Sequence, residues 1–313
     1  MTGKRLCTQA ELERMCITPA KQFETVLESK DIEAAKKKYI ELEDAFFGLH
    51  IMYQNWIAFL QEFIYNNYGH EGLTNAVPIA EIIMQAVKFG MTIDEADKCS
   101  KSAKEEMSAL INAGKIKEVK DLFKFLEKGW RDFHDIYNSW TTLLLSRIYR
   151  DLGGLEALEK CHRYAGGSHW MPWMEQDIQC DPKFRIQYWS MLMHGNLSEF
   201  TVEEDDEKFI MKMHVCGSCG RQIIDGYYSS PTNFAKVKEK GPATWCRDDC
   251  TVYQTHLTII HGMMAIEKIG APWPVITCNN GKGPEPCQIL LYKDPKTAAA
   301  EYYEMVGKQK PKS

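Results

Sequence analysis

The first half of this chain is written twice. Residues 16–73 align on residues 100–157 at a constant offset of 84 with no gap. Ile32 meets Ile116, Leu42 meets Leu126 and Glu43 meets Glu127; His50, Tyr53 and Trp56 meet His134, Tyr137 and Trp140; Leu60, Ile64 and Gly69 meet Leu144, Ile148 and Gly153. Apolar character holds between the identities, as in Tyr39/Phe123 and Phe46/Trp130. A repeated unit of this size is one supersecondary element that buries its apolar face against its twin.

The matched positions carry helical spacing. At 100° per residue, His50, Tyr53, Trp56, Leu60 and Ile64 fall within about 120° of one another, one face of a long helix. Gly69 and Gly153-Gly154 are suited to end it. Each copy therefore reads as a short helix around 18–29, a turn, and a long helix of roughly 35 residues. Two copies packed about a pseudo-twofold axis make a helical bundle. The shared His-x-x-Tyr-x-x-Trp face has two readings. One is packing, with each buried imidazole satisfied by a single partner. The other sets His50 and His134 across the axis in a polar pocket, ready for proton transfer, with Tyr53 and Tyr137 beside a ligand. Glu43 and Glu127 lie two turns upstream, about 10 Å, too far to share an ion with the histidine of the same helix.

The segment 161–180 joins the halves. Within it His169, Trp170, Pro172 and Trp173 follow Gly166-Gly167, a composition that breaks a helix and reads as a packed loop or lid. As a lid it makes His169 a third proton-transfer candidate and Trp170 and Trp173 substrate contacts. A helix from Pro182 to His194 follows, capped by Asp181 and stopped by Gly195.

From about 197 the pattern turns to period two. Leu197–Val202 and Lys208–Val215 read as a hairpin, Arg221–Tyr228 as a third strand, and Trp273–Cys278 with Cys287–Tyr292 as a final hairpin across the loop that holds Asn279, Asn280, Gly281, Gly283 and Pro284. A long helix is expected over 248–269. The fold class is α+β: a duplicated all-α bundle over 1–195, then an antiparallel sheet with one long helix and a four-cysteine metal site over 196–313.

That site is Cys216-Gly-Ser-Cys219 followed after 26 residues by Cys246-Arg-Asp-Asp-Cys250. Two close cysteine pairs can surround one tetrahedral ion. A glycine-rich knuckle after a strand, then a pair opening a helix, resembles a treble-clef zinc module over about 60 residues. The resemblance implies Cys216, Cys219, Cys246 and Cys250 as ligands of zinc, with iron as the alternative for four thiolates. The second pair is one residue wider than the usual spacing. Four thiolates close a structural site; three leave an open, catalytic position. His214 points to the same side of its strand as Cys216. His256 and His261 lie about 9 Å and about 16 Å beyond Cys250 on a helix and read as core or pocket histidines. Cys278 and Cys287 face each other across the last hairpin, as buried thiols or a redox pair.

Eleven cysteines without a visible secretion signal read as thiols and metal ligands of a cytoplasmic protein. A net charge of −5 and no basic stripe argue against nucleic acid, and no apolar run is long enough for a membrane span. The chain carries no phosphate loop, dinucleotide fingerprint, Gly-x-Ser-x-Gly elbow or His-Glu-x-x-His. The expectation is a metal-dependent small-molecule enzyme, a hydrolase or lyase or one of thiol chemistry. Its pocket would lie between bundle and metal domain, with Arg221 pairing a substrate carboxylate. The competing expectation is a ligand- or partner-binding protein with a structural zinc. Monomer and homodimer are both compatible with an internal twofold.

Overall fold

A computed structural model describes residues 5–278 and 287–311. The loop expected to rim the pocket, Asn279 to Pro284, lies outside the described residues. The first ten helices are α1 (Gln9–Met15), α2 (Pro19–Glu28), α3 (Ile32–Ala76), α4 (Ile79–Phe89), α5 (Ile93–Cys99), α6 (Lys104–Asn112), α7 (Ile116–Arg147), α8 (Gly154–Ala165), α9 (Met171–Asp177) and α10 (Pro182–Gly195). Local chemistry starts many of them. Thr8 with Glu11 and Thr92 with Glu95 form capping boxes, Asp31 caps α3, and Asp181 caps α10 ahead of Pro182. None of the helices is long and apolar enough to cross a membrane, among the described residues.

The long helices α3 and α7 both start at the isoleucines that align in sequence. They run side by side and in the same direction, because aligned residues meet in the same order along both. Tyr39 meets Phe123 with ring centroids 6.4 Å apart, Phe46 stacks on Trp130 at 4.9 Å, and His50 meets His134 at 5.1 Å. Tyr39, Phe46, Phe123 and Trp130 join Phe23 and Leu126 in one buried cluster. Each such side chain contributes about 1.5–3 kcal/mol of burial. Gly69 interrupts α3 at φ 70°, and its counterpart Gly153 ends a π-helical turn (Ile148–Gly153) after α7 at φ 148°. Only glycine takes such angles without strain.

The sheet has the order β1-β2-β4-β3, all neighbours antiparallel, from β1 (Glu199–Glu204), β2 (Lys208–Val215), β3 (Val275–Thr277) and β4 (Cys287–Tyr292). Phe200 and Val202 of β1, and Phe209, Met211 and Met213 of β2, turn inward. One continuous core runs from Trp56 and Leu144 of the helices to Phe209 and Leu291 of the sheet. A chain segment ahead of α1 grips the edge of the sheet: Leu6 N and Cys7 N donate to the Glu204 carboxylate at 2.6 and 2.9 Å, and Lys293 pairs with it at 2.8 Å. Asp177 ties α9 and α10 to the sheet side, accepting from Arg185 Nε at 3.0 Å and Trp273 Nε1 at 2.6 Å, while Arg185 also donates to Tyr292 O at 3.1 Å.

Three sequence expectations change. The strand expected over 221–228 is instead a short helix, α11 (Cys219–Ile224). The neighbour of β2 on that side of the sheet is β4, and the buried Gln222 amide bonds Thr142 and Tyr228 rather than a ladder. The helix expected from 248 starts later. Thr251 and Gln254 form a reciprocal cap, Gln254 N to Thr251 Oγ1 and Thr251 N to Gln254 Oε1, so the helical run follows it as a π segment (Leu257–Met264) and α12 (Ala265–Ile269). Segment 161–173 is helical throughout. Gly166 and Gly167 fall in a π turn (Gly166–Trp170), where a Cβ on Gly166 would sit 2.9 Å from Met264 Sδ, and Pro172 occupies the first turn of α9, where a missing N–H is harmless. A last short helix, α13 (Glu301–Glu304), closes over the C-terminal core.

Candidate functional site

A cavity of about 150 Å³ opens where the helices meet the sheet. Tyr53 and Trp56 reach it from α3, Trp170 and Trp173 from the π turn and α9, and Trp189 and Asn196 from α10 and its end. Met213 and Cys216 come from β2 and the turn after it, Cys219 from α11, and Tyr253, His256 and His261 from the C-terminal helical run. The tryptophans brace one another: Trp173 stacks on Trp189 at 5.3 Å and stands edge-on to Trp273 at 4.8 Å, while Trp56 meets Trp170 at 5.2 Å and His256 at 4.9 Å. No lysine, arginine or carboxylate belongs to the wall among the described residues.

The turn after β2 is built around Gly217. A Cβ there would lie 1.5 Å from Asn196 O, so only glycine lets the turn dock on the end of α10. Gly217 N donates to Ser198 Oγ at 2.9 Å. The docked turn sets Ser218 into a hydroxyl-amide cluster. Tyr53 Oη donates to Asn196 Oδ1 at 2.8 Å and lies 3.2 Å from Ser218 Oγ and 3.1 Å from Tyr253 Oη; Asn196 Nδ2 donates to Ser218 Oγ at 2.7 Å. Burial pushes the Tyr53 phenol up to about 12, so it stays a neutral donor.

Four thiols share this wall. Cys216 Sγ and Cys219 Sγ are 4.0 Å apart. The pairing of Thr277 with Gln288 brings Cys278 and Cys287 opposite each other at the ends of β3 and β4. Cys278 interacts through its side chain with Cys219 on one side and with Cys287 on the other. The order along the wall is therefore Cys216, Cys219, Cys278, Cys287, with half-buried thiols at the ends and buried ones between. The Cys219 neighbour and burial push the Cys216 thiol well up. In Cys278, interaction with Cys219 lowers the value but Cys287 and burial outweigh it, and the net direction is again upward.

Two histidines face the same space in a defined tautomer. His261 Nδ1 lies 2.8 Å from Trp273 O, and His256 Nδ1 bonds Tyr253 O. A carbonyl only accepts, so Nδ1 carries the proton in both rings. Burial lowers His261 to about 4 and, with the neighbouring His261 and His162, holds His256 well below its ordinary range. Both imidazoles are neutral near pH 7, and each keeps an unprotonated Nε2.

The sequence-selected residues divide. Tyr53, Trp170, Trp173, Cys216 and Cys219 are on the cavity wall. His50 and His134 are not. His50 Nδ1 donates to Phe46 O at 2.5 Å, its Nε2 accepts from His134 Nδ1 at 3.0 Å, and His134 Nε2 accepts from Asn138 Nδ2 at 2.7 Å. Burial lowers both, and the neutral pair is satisfied behind Gly217, whose carbonyl is 3.2 Å from His134 Nε2. His169 packs outside the wall against Trp170 and Phe59. Tyr137 accepts from Gln54 at 2.8 Å, away from the cavity. Arg221 is paired with Asp135 at 3.1 Å and donates to Leu197 O, so it does not reach the cavity.

The second cysteine pair splits: Cys246 turns away, while Cys250 stays buried and close enough to Cys219 to raise its thiol pKa. Trp245 and Cys246 take φ near 50–55°, which turns Cys246 to solvent, with Met305 O 3.9 Å from its sulfur. Cys250 is buried among Trp245, Ile259 and Val275, and burial pushes its thiol up to about 12. His214 is exposed on β2. Among the described residues no group of three or more His, Cys, Asp or Glu side chains is arranged to hold a metal ion. The sequence reading missed Trp189, Asn196, Ser218 and Tyr253. The signal for Tyr253 was the Thr251-x-x-Gln254 cap, which fixes the face of the helix that follows it.

A second cleft of about 440 Å³ lies between α2, α3, α7 and α10, floored by Phe46 and Trp130 and edged by Lys38, Glu127 and Arg131. Comparison of the chain with protein-family models, with curated proteins and with solved structures finds no match in any of the three.

Proposed function

We propose that this protein is an enzyme of small-molecule thiol chemistry, working in the cavity where the helices meet the sheet. The observation that carries this reading is the sharing of one aromatic-walled space by four thiols and two imidazoles with unprotonated Nε2 atoms. A space of about 150 Å³ suits a molecule the size of one aromatic ring. Cys216 is the nucleophile in this reading, since it is the less buried member of its pair. His256 and His261, whose unprotonated Nε2 atoms belong to the same cavity, are the bases assigned to the thiol proton. Tyr53 and Ser218 supply hydrogen bonds that orient a polar end of the ligand. A cytoplasmic setting fits, because it keeps eleven cysteines as thiols. We attribute the parallel α3 and α7 to a tandem duplication, which accounts for the meeting of aligned residues along both helices.

The test uses iodoacetanilide, an aromatic alkylating agent, against the compact iodoacetamide. Saturable labelling of Cys216 by the aromatic reagent, slowed about 100-fold in the maximal rate by His256→Gln or His261→Gln with unchanged half-saturation, is the expected result. Labelling that rises linearly with reagent, with no preference for the ring, overturns the reading. Quenching of tryptophan fluorescence by acetanilide without accelerated labelling would instead make the protein a non-catalytic binder.

A second reading assigns the same wall a soft cation, zinc or iron, held by Cys216 and Cys219 after Cys278 and Cys287 turn their side chains toward it, since the described residues hold no group of three already arranged as ligands. What favours it is four soft donors on one wall, with the Cys216, Cys219 and Cys278 thiols all held above their ordinary range. One equivalent of metal in anaerobically purified protein, lost in Cys216→Ser and kept in Cys246→Ser, would decide for it.

A further inference from the structure

Thiols that act one at a time have no need of partners, yet each end thiol of this wall has a buried one beside it. Cys216 has Cys219 at 4.0 Å, and Cys287 has Cys278 across the ladder. The two buried members interact with each other. A disulfide needs its sulfurs at about 2.05 Å and its Cβ atoms at about 3.5–4.5 Å. Neighbours three residues apart, or opposite each other on antiparallel strands, reach that geometry by side-chain rotation.

We infer that Cys216, Cys219, Cys278 and Cys287 form a two-stage dithiol relay that reduces a small disulfide, one aromatic ring of which enters the cavity, and carries the resulting protein disulfide to the far pair. The inference rests on the proposal that the cavity performs thiol chemistry. In the first stage the Cys216 thiolate attacks one sulfur of the substrate, R–S–S–R. The S–S bond breaks, one R–S⁻ leaves with the proton released from Cys216, and a mixed disulfide Cys216–S–S–R remains. Cys219 attacks the Cys216 sulfur, expels the second R–S⁻ and closes the Cys216–Cys219 disulfide. The substrate has gained two electrons and two protons, and the two protein thiols have lost them. In the second stage Cys278 attacks Cys219, freeing Cys216, and Cys287 then attacks Cys278, freeing Cys219. One disulfide and two thiols are conserved through this exchange. The Cys278–Cys287 disulfide is re-reduced by a dithiol from solution, so that one dithiol is consumed for each substrate reduced.

The aromatic walls give the substrate class. Trp56, Trp170, Trp173 and Trp189 offer flat apolar faces, and among the described residues no basic side chain is present on the wall to attract a charged peptide disulfide. The buried hydroxyl-amide cluster of Tyr53, Asn196 and Ser218 suits one polar atom on the ring.

The experiment takes the full-length protein, fully reduced and free of oxygen, and adds 4,4′-dithiodipyridine at one equivalent. Release of 4-thiopyridone is read by absorbance, and disulfides are located by acid quench, alkylation and peptide mass mapping. The expected result is about two thiopyridones per chain, an early Cys216–Cys219 disulfide, and its later replacement by Cys278–Cys287. Cys219→Ser should stop at about one thiopyridone with a mixed disulfide on Cys216, and Cys287→Ser should halt the transfer. The relay is overturned if the disulfide stays on Cys216–Cys219 in the native chain, or if Cys278–Cys287 forms at the same rate in a Cys216→Ser/Cys219→Ser chain. The native-chain time course needs no variant and stands even where one fails to fold. A disulfide that stays on Cys216–Cys219, with the separately tested reduced protein still labelled saturably at Cys216 by iodoacetanilide, removes the relay alone. Indiscriminate oxidation of the exposed Cys246 together with the wall thiols, with linear alkylation, removes both.

Discussion

Mild acid should destabilise this protein, and the histidines beside the cavity set how steeply. His261 is held neutral by burial, with its pKa lowered to about 4, and His162 is lowered further, to about 3, by the same cause. In the unfolded chain both return to about 6.5. Between those values the unfolded ring binds a proton that the folded ring refuses, so stability is full above about pH 6.5 and falls as the pH drops toward 4. From pH 7 to pH 5 each histidine removes about 2 kcal/mol, together about 4 kcal/mol of a total that is usually about 5–15 kcal/mol. The measurement is urea unfolding followed by tryptophan fluorescence at half-unit steps from pH 7.5 to 5. Near pH 5 each histidine should add about 1.4 kcal/mol per pH unit to the slope. His261→Gln, which keeps a donor for Trp273 O, should remove its share of that slope. A free energy flat from pH 7 to 5, or a slope untouched by His261→Gln and His162→Gln, refutes the argument.

Three further outcomes follow from packing and hydrogen bonding. Asp177→Ala leaves Arg185, 1% exposed, with only the Tyr292 carbonyl, and should cost about 3–5 kcal/mol in urea unfolding. Gly217→Ala forces a Cβ against Asn196 O; the expected loss is about 3 kcal/mol, with the saturable labelling of Cys216 abolished. Tyr53→Phe removes one hydroxyl but leaves Asn196 and Ser218 bonded to each other, so it should cost about 1 kcal/mol while weakening acetanilide binding measured by fluorescence.

The helices were legible because their signals are local. The aligned isoleucines open α3 and α7, Gly69 breaks α3, and Asp181 caps α10, each within a turn of where periodicity puts it. The first hairpin was equally plain from the alternation of Phe209, Met211 and Met213. What escaped depended on contacts distant in sequence. Arg221–Tyr228 alternates like a strand, but the β2 edge is taken by β4, a strand some 70 residues later. The glycines of 161–173 look like breakers because nothing local reveals Met264 pressing on Gly166. Of the second pair that the spacing singled out, Cys246 faces solvent; the thiols that line the cavity with Cys216 and Cys219 are Cys278 and Cys287, brought there by the β3–β4 ladder. The histidine pair on the aligned helix faces was visible, but its satisfaction by Phe46 O and Asn138 was not.

The grip of residues 6 and 7 on Glu204 has a consequence for how this chain behaves in company. A four-stranded sheet has two open borders, and an open border invites a strand from another molecule. Here β3 is three residues long, too little to template much, and β1 is overlaid by α1 and the segment before it. Peeling that segment away would strand the Glu204–Lys293 pair and bare the longer border at once. The first few described residues thus act as a selvedge, and a chain clipped ahead of Gln9 should be recognised less by lost chemistry than by its tendency to self-associate.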